Sequence, residues 1–304
     1  MSEKKRKQHY VWEHYLTAWA VRGQVWCQRG GNQFVTNTEN IAHRRDFYRL
    51  REMSEKDLEL VKLFIEQMGD HLKELARGWI PAFTALFRIQ KLYRESGQQN
   101  AELEKELDIA INNLEEDLHS SIEDSAVPIL KALRQGDFAT LDDQQSYVDF
   151  ARFMATQHLR TSAMENRMLQ NAKIPAQFGA NMENIWGILR TISATNISFH
   201  FFSVQDSTRL TFLNALPPNE FITGDQPMLN LRADGATPPT ELEIYYPLTP
   251  NRALLMDFGH SRAIRENRTL SAEEVRSYNQ RIMKASEGQV YAASKIALQS
   301  LDSP

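Results

Sequence analysis

A single cysteine, Cys27, is all the thiol this chain carries. One sulfur makes neither a disulfide framework nor a thiolate metal cluster, and it fits a reducing compartment. No run of about 18 apolar residues occurs, so no segment is expected to cross a membrane. The opening MSEKKRKQHYVWEHYL has charge but lacks the apolar stretch of a signal peptide, which predicts a cytoplasmic protein. An excess of positive charge is missing too: 35 Lys and Arg stand against 39 Asp and Glu, for a net −4. The whole molecule is therefore no general nucleic-acid clamp, and any basic surface must be local. G-x-G-x-x-G, P-loop, H-E-x-x-H, G-x-S-x-G and kinase signatures are absent, so the commonest nucleotide and hydrolase folds lose support. His9 and His14 lie about 140° apart round a helix, which is not the spacing of a helical zinc pair.

What is present describes a folded protein. With 304 residues, 42% apolar and 24% charged, the chain has enough material for one large or two smaller cores. Residues 8–21 read as an aromatic-rich helix. Two strand-like runs follow, 24–27 and 33–36, with Gly30-Gly31 between them as a hairpin signal. Ser54 with Asp57 predicts a capping box, and Leu58, Val61, Ile65, Met68, Leu72 and Leu75 make one helical stripe that Gly78 and Pro81 should interrupt. A further helix is expected over 82–94. A new stripe starts near Glu102, with Pro128 expected to kink or end it, and Thr140 with Asp143 should open a helix running to about 168. After Ser193 the pattern turns strand-like at 197–204, 209–213, 221–223, 242–246 and 252–258. Ser271 with Glu274 announces a last helix, and 290–294 a last strand. The sequence thus predicts an α+β fold: an N-terminal segment with a β-hairpin (1–53), a helical body (54–192) and a C-terminal α/β part with a mixed or antiparallel sheet (193–304). The two ends are expected to share one core, because neither is large enough alone.

Several segments together resemble a bacterial family, domain of unknown function 4238. They are Gln8-His9-Tyr10-Val11 with Tyr15-Leu16, Asn40-Ile-Ala, Asp46-Phe47-Tyr48, Ile122-Glu123, Gln157-x-x-Arg160-Thr161, Phe221-Ile-Thr-Gly-Asp225-Gln-Pro227 and Pro247-Leu-Thr-Pro250, with Asn279 and Ala285 in the last helix. The chain departs from the family pattern at Trp12, where Pro is usual, at Gly224, where Ser is usual, and at Ser162, where Pro often follows Arg-Thr. The resemblance implies no settled activity, so the chemistry is argued from the residues.

His9, Glu123, Gln157, Arg160 and Asp225 are polar groups in apolar surroundings, and burial costs them several kcal/mol unless they are paired. Arg160 is expected to pair with Glu123 or Asp225. Two readings follow. In the first, the set is a catalytic cleft: His9, Glu123 and Asp225 hold a divalent metal (Mg²⁺ or Mn²⁺), Arg160 clamps a phosphate and Gln157 orients the reactants. That makes the protein a metal-dependent nuclease or phosphodiesterase acting on a nucleic acid or nucleotide, with a place in bacterial defence. Lys4, Lys5, Arg6 and Lys7 would then draw the polyanion towards His9. In the second, the set fixes the packing of helices on sheet, and the protein is a non-catalytic ligand-binding or regulatory component of a defence or toxin-type locus. Its acidic helix over 102–117 would serve as a docking face for a protein partner or a second copy. Asp46 reads as a turn or helix cap, and His158 as an ordinary histidine rather than a ligand.

Overall fold

The computed structural model describes residues 3–172, 174–175, 178–233 and 241–301. Its N-terminal part is mostly extended: β1 (Lys7–His9), the single turn α1 (Glu13–Leu16), β2 (Gln24–Arg29), β3 (Asn32–Asn37) and β4 (His43–Arg45). This corrects the helix expected over 8–21. The main chain of β1 finds its partners in β4, antiparallel, with Gln8 opposite Arg44. Tyr10, Val11, Tyr15, Leu16 and Trp19 are buried on every side rather than along one helical face, which accounts for the apolar run. Gly30 and Gly31 both take positive φ in the two-residue β2–β3 turn, the conformation that turn requires.

Six helices follow: α2 (Glu55–Glu66), α3 (Asp70–Glu95), α4 (Ala101–Gln135), α5 (Gln144–Leu159), α6 (Ser162–Asn171) and α7 (Met182–Ser203). Ser54 and Asp57 cap α2 reciprocally, and Asp143 caps α5 through the Ser146 amide. The expected interruptions at Gly78, Pro81 and Pro128 do not occur; the chain turns at 67–69 instead. A proline removes one helical donor, and burial of Phe83 beside Pro81 and of Ala126 and Ile129 beside Pro128 keeps both helices continuous. Residues 197–203, expected as a strand, complete α7. That stretch is apolar on nearly all sides, where periodicity cannot separate helix from strand.

The remaining elements are β5 (Arg209–Asn214), β6 (Thr223–Gly224), β7 (Leu229–Asn230), β8 (Glu243–Thr249), β9 (Arg252–Asp257), β10 (Ile264–Thr269), α8 (Ala272–Ala285), β11 (Gln289–Ala292) and α9 (Lys295–Gln299). A five-stranded sheet runs β10-β5-β9-β8-β7, mixed because β10 lies parallel to β5. The hairpin β2–β3 is extended by β11 and β6 into a four-stranded sheet, so the two ends of the chain share main-chain hydrogen bonds. The fold is α+β, with 54% helix and 18% strand. One core cluster joins the N-terminal segment, α4, α5 and the five-stranded sheet, with Tyr15 stacked on Tyr246 at 5.0 Å. Among the described residues no helix is long and apolar enough to cross a membrane.

Candidate functional site

Arg160 ends α5 and Thr161 caps α6, so the junction turns the Arg160 side chain inward, where it is 2% exposed. Its guanidinium donates to the Glu123 carboxylate on α4, to the His9 backbone carbonyl, and to Tyr48 Oη at 3.0 Å. Tyr48 Oη also lies 3.2 Å from the carbonyls of His9 and Arg160, and the Tyr48 amide donates to Gln8 Oε1 at 2.6 Å. Gln8 Nε2 in turn donates to the Asn112 carbonyl of α4 at 2.9 Å. One arginine therefore clasps the N-terminal segment to two helices, and every donor bond is charge-assisted. Burial opposes the charge on Arg160, but Glu123, Tyr48 and Glu116 hold it above the ordinary guanidinium value.

A second buried pair stands beside the first: Arg190 of α7 donates from Nε to Glu115 at 2.5 Å. Arg190 also lies over the Tyr48 ring at 4.7 Å, and His119 meets that ring edge-on at 4.4 Å. Glu116 completes the group. Burial pushes its carboxyl up to about 7, with Arg160 opposing and Glu123 adding to the rise, and its Oε2 is buried without a partner. Two guanidiniums thus face three carboxyls, Glu115, Glu116 and Glu123, and a proton on Glu116 makes the sum zero. Neutrality is what a dry interior favours.

The other residues singled out from sequence occupy different places. The His9 imidazole does not join the Arg160 pair; it meets His43 edge-on at 5.4 Å, and its Nε2 is buried and unpartnered. Burial, then His43, Lys7 and Arg160, push its pKa down to about 4, so the ring is neutral at physiological pH. Gln157 donates to the Tyr10 carbonyl at 3.4 Å. Asp225 accepts from the amides of Glu287, Gly288 and Gln289 at 2.9, 2.8 and 2.9 Å, closing the turn between α8 and β11. Burial raises its pKa while those three amides pull the other way. Its side chain makes no bond to the Arg160 group among the described residues; the Gln289 side chain links it indirectly, reaching Tyr10 Oη at 3.3 Å. Asp46 takes positive φ in a tight turn near Arg6 and Arg45.

Three of the four basic residues at the start are already in ion pairs. Lys4 meets Asp108 at 2.7 Å, Lys5 meets Asp117 at 2.8 Å, and Arg6 lies 3.7 Å from Asp46. Lys7 reaches Asn40 at 3.4 Å. The acidic face of α4 is thereby partly covered by the chain's own start. Among the described residues, no group of three or more His, Cys, Asp or Glu is placed to hold a metal ion. His9, Glu123 and Asp225 do not form such a group: Glu123 pairs with Arg160, and Asp225 accepts from three amides of the α8–β11 turn.

Residues 7–296, nearly the whole chain, match the family profile described as "Protein of unknown function (DUF4238)". The chain belongs to that family. No curated protein and no solved structure matches it. The three departures from the DUF4238 pattern are each accommodated. Trp12 keeps φ at −54°, the value a proline would impose. Ser162 is the first residue of α6, where proline is tolerated. At Gly224 an added Cβ would stand 2.0 Å from Ser286 Oγ, so a side chain there requires Ser286 to move.

A cleft of about 740 Å³ opens between α6, α7, the β7–β8 edge and the end of α8. Its apolar walls include Ile197, Phe201, Met228, Leu242 and Ile244, and its cations are Arg167, Arg281 and Lys284. His158 lines it with Nδ1 3.4 Å from Gln226 Nε2, and burial pushes its pKa down to about 4. Gln226, next to Asp225, also meets the Thr161 hydroxyl at 2.5 Å, so the cleft floor is tied to the α5–α6 junction. The quoted Asp225-Gln226-Pro227 segment signals Gln226. Arg281 and Lys284 stand three apart on α8 and share a helical face, but nothing in the sequence marks Arg167 of α6 as their neighbour.

Proposed function

We propose that this DUF4238 protein is a non-catalytic binding protein that takes a small organic molecule into the cleft between α6, α7 and α8. The supporting observation is the lining itself. Apolar walls combined with a few polar groups, at a volume within the roughly 300–1,000 Å³ range of ligand sites, are what small-molecule recognition uses. The polar clasp supports the same reading from the other side: Arg160 and Glu123 satisfy one another, and Asp225 is spent on three amides. A metal-dependent phosphodiesterase built on His9, Glu123 and Asp225 needs those carboxylates open towards one point, and that competing reading has no such support.

The test uses 1-anilinonaphthalene-8-sulfonate, whose fluorescence rises in an apolar site, on the purified chain. Saturable binding near one per chain is expected. Ala285→Trp, placed on the half-buried last turn of α8 facing the cleft, should remove it without lowering the melting temperature. Absence of saturable binding to the parent, or equal binding to the filled variant, refutes the proposal.

A further inference from the structure

The charge lining the cleft is segregated. Acidic residues outnumber basic ones in the whole chain, 39 to 35, yet three cations and no carboxylate line the cleft among the described residues. None of the three is in an ion pair with a described residue; Arg167 donates only to the Ala163 carbonyl of its own helix. The acids nearest in sequence lie outside the lining and are engaged elsewhere: Glu165, two residues before Arg167, pairs with Arg44, and Glu287, three after Lys284, accepts from Asn166 at 2.7 Å. That bond also places the cations together. Asn166 adjoins Arg167 on α6, Glu287 follows Lys284 by three residues, and the bridge draws these two ends to one side of the opening. The apolar walls come instead from α7, through Ile197 and Phe201, and from Leu242 just before β8 and Ile244 at its start.

An apolar chamber with an unpaired cationic rim discriminates by two terms: burial of the ligand's body and attraction of its head. Resting on the binding reading above, we infer that the ligand is an amphiphilic anion, a hydrocarbon chain or ring system ending in one carboxylate or phosphate. The body enters between α7 and β8, and the head stays at the rim with Arg167, Arg281 and Lys284. The neutral His158 and the Gln226 amide offer polar contacts without adding a second charge, so they leave the head group's place at the rim.

Displacement of the naphthalene dye by dodecanoate, dodecyl phosphate, 1-dodecanol, acetate and inorganic phosphate tests this. Dodecanoate or dodecyl phosphate should displace the dye, and whichever binds tighter identifies the head group. Dodecanol, acetate and inorganic phosphate should be at least ten-fold weaker. Arg281→Gln with Lys284→Gln, both exposed on α8, should weaken the anionic amphiphile by about ten-fold, because two of the three charges facing its head are removed. The same pair of changes should leave dodecanol unaffected. Equal displacement by dodecanol, or no effect of the double variant, overturns the anionic class while binding itself stands. Dye binding that no amphiphile displaces also overturns it, and failure of the dye to bind refutes the binding reading.

Discussion

Replacing Arg160 by Met tests whether the motif arginine is a clasp. Arg160 and Glu123 are 2% and 8% exposed, so the substitution leaves a carboxylate buried beside apolar surface. Breaking a buried pair from one side costs about 3–5 kcal/mol, because the remaining charge is uncompensated. The His9 carbonyl keeps its contact with Tyr48 Oη at 3.2 Å, so its loss of the guanidinium adds little. The deficit has a pH signature. Burial already raises Glu123 above its ordinary 4.5, and Arg160 is the main group opposing that rise. Without it the folded-state pKa climbs further, so the folded protein binds the proton more tightly than the unfolded chain. Stability relative to the parent is then best near pH 4.5, and it is lost progressively as pH rises through the folded value. Urea unfolding at pH 5 and pH 8 should show a small deficit at the first and the full one at the second. Adding Glu123→Met should recover part of the loss, since replacing both partners removes the stranded charge. A single variant within about 1 kcal/mol of the parent at pH 8, or a deficit that grows on acidification, would refute the clasp.

Four further outcomes follow from the same geometry. Glu116→Gln should raise the melting temperature at pH 8 and leave it unchanged at pH 5, because a carboxyl raised to about 7 contributes stability below 4.5 that is lost as pH passes 7; a parent whose melting temperature is flat from pH 5 to 8 contradicts this. Asp225→Asn should cost about 2–4 kcal/mol in urea unfolding, since the amide cannot accept from all three backbone donors, and a loss under 1 kcal/mol would free Asp225 for another role. Millimolar Mg²⁺ or Mn²⁺ should leave the melting temperature of the parent unchanged; a rise abolished by Asp225→Asn would revive the phosphodiesterase reading. Deleting residues 2–7 should lower the melting temperature by several degrees, because Asn112 and Asn113 lose their contacts with the backbone of Glu3 and Lys5; an unchanged value would make the start a dispensable tail.

Local chemistry was the legible part of the fold. Ser54 with Asp57 and Ser271 with Glu274 form reciprocal caps because each needs only four consecutive residues. Gly30-Gly31 marked its hairpin for the same reason. The misreadings fall where distant packing overrides a local preference. Pro81 and Pro128 stay inside helices whose buried faces continue past them. Strand β10, with Arg265, Glu266 and Arg268 among its six residues, has no apolar alternation and exists because the β5 edge offers parallel partners. The stretch 8–21 is apolar because the four-stranded sheet, α4 and the five-stranded sheet all close over it, a fact about three distant segments.

The candidate site divides along the same line. That Arg160 needs a carboxylate could be read from the cost of an unpaired buried guanidinium, and Glu123 is the partner it meets. What residue types do not reveal is direction. His9 contributes to the Arg160 network with its carbonyl and not its imidazole, and Asp225 faces backbone amides two to four residues beyond α8, so both act as fasteners of the main chain. A histidine and two carboxylates scattered in sequence look alike whether they converge on a metal or hold three separate turns. The cations of the cleft are hidden by the opposite problem. Arg167 and Arg281 lie on different helices as exposed residues of ordinary amphipathic elements, and the Asn166–Glu287 contact joins the ends of those helices. Exposure without a counter-charge is a property of the folded surface, so the groups best placed to meet a ligand carry the weakest signal in the chain.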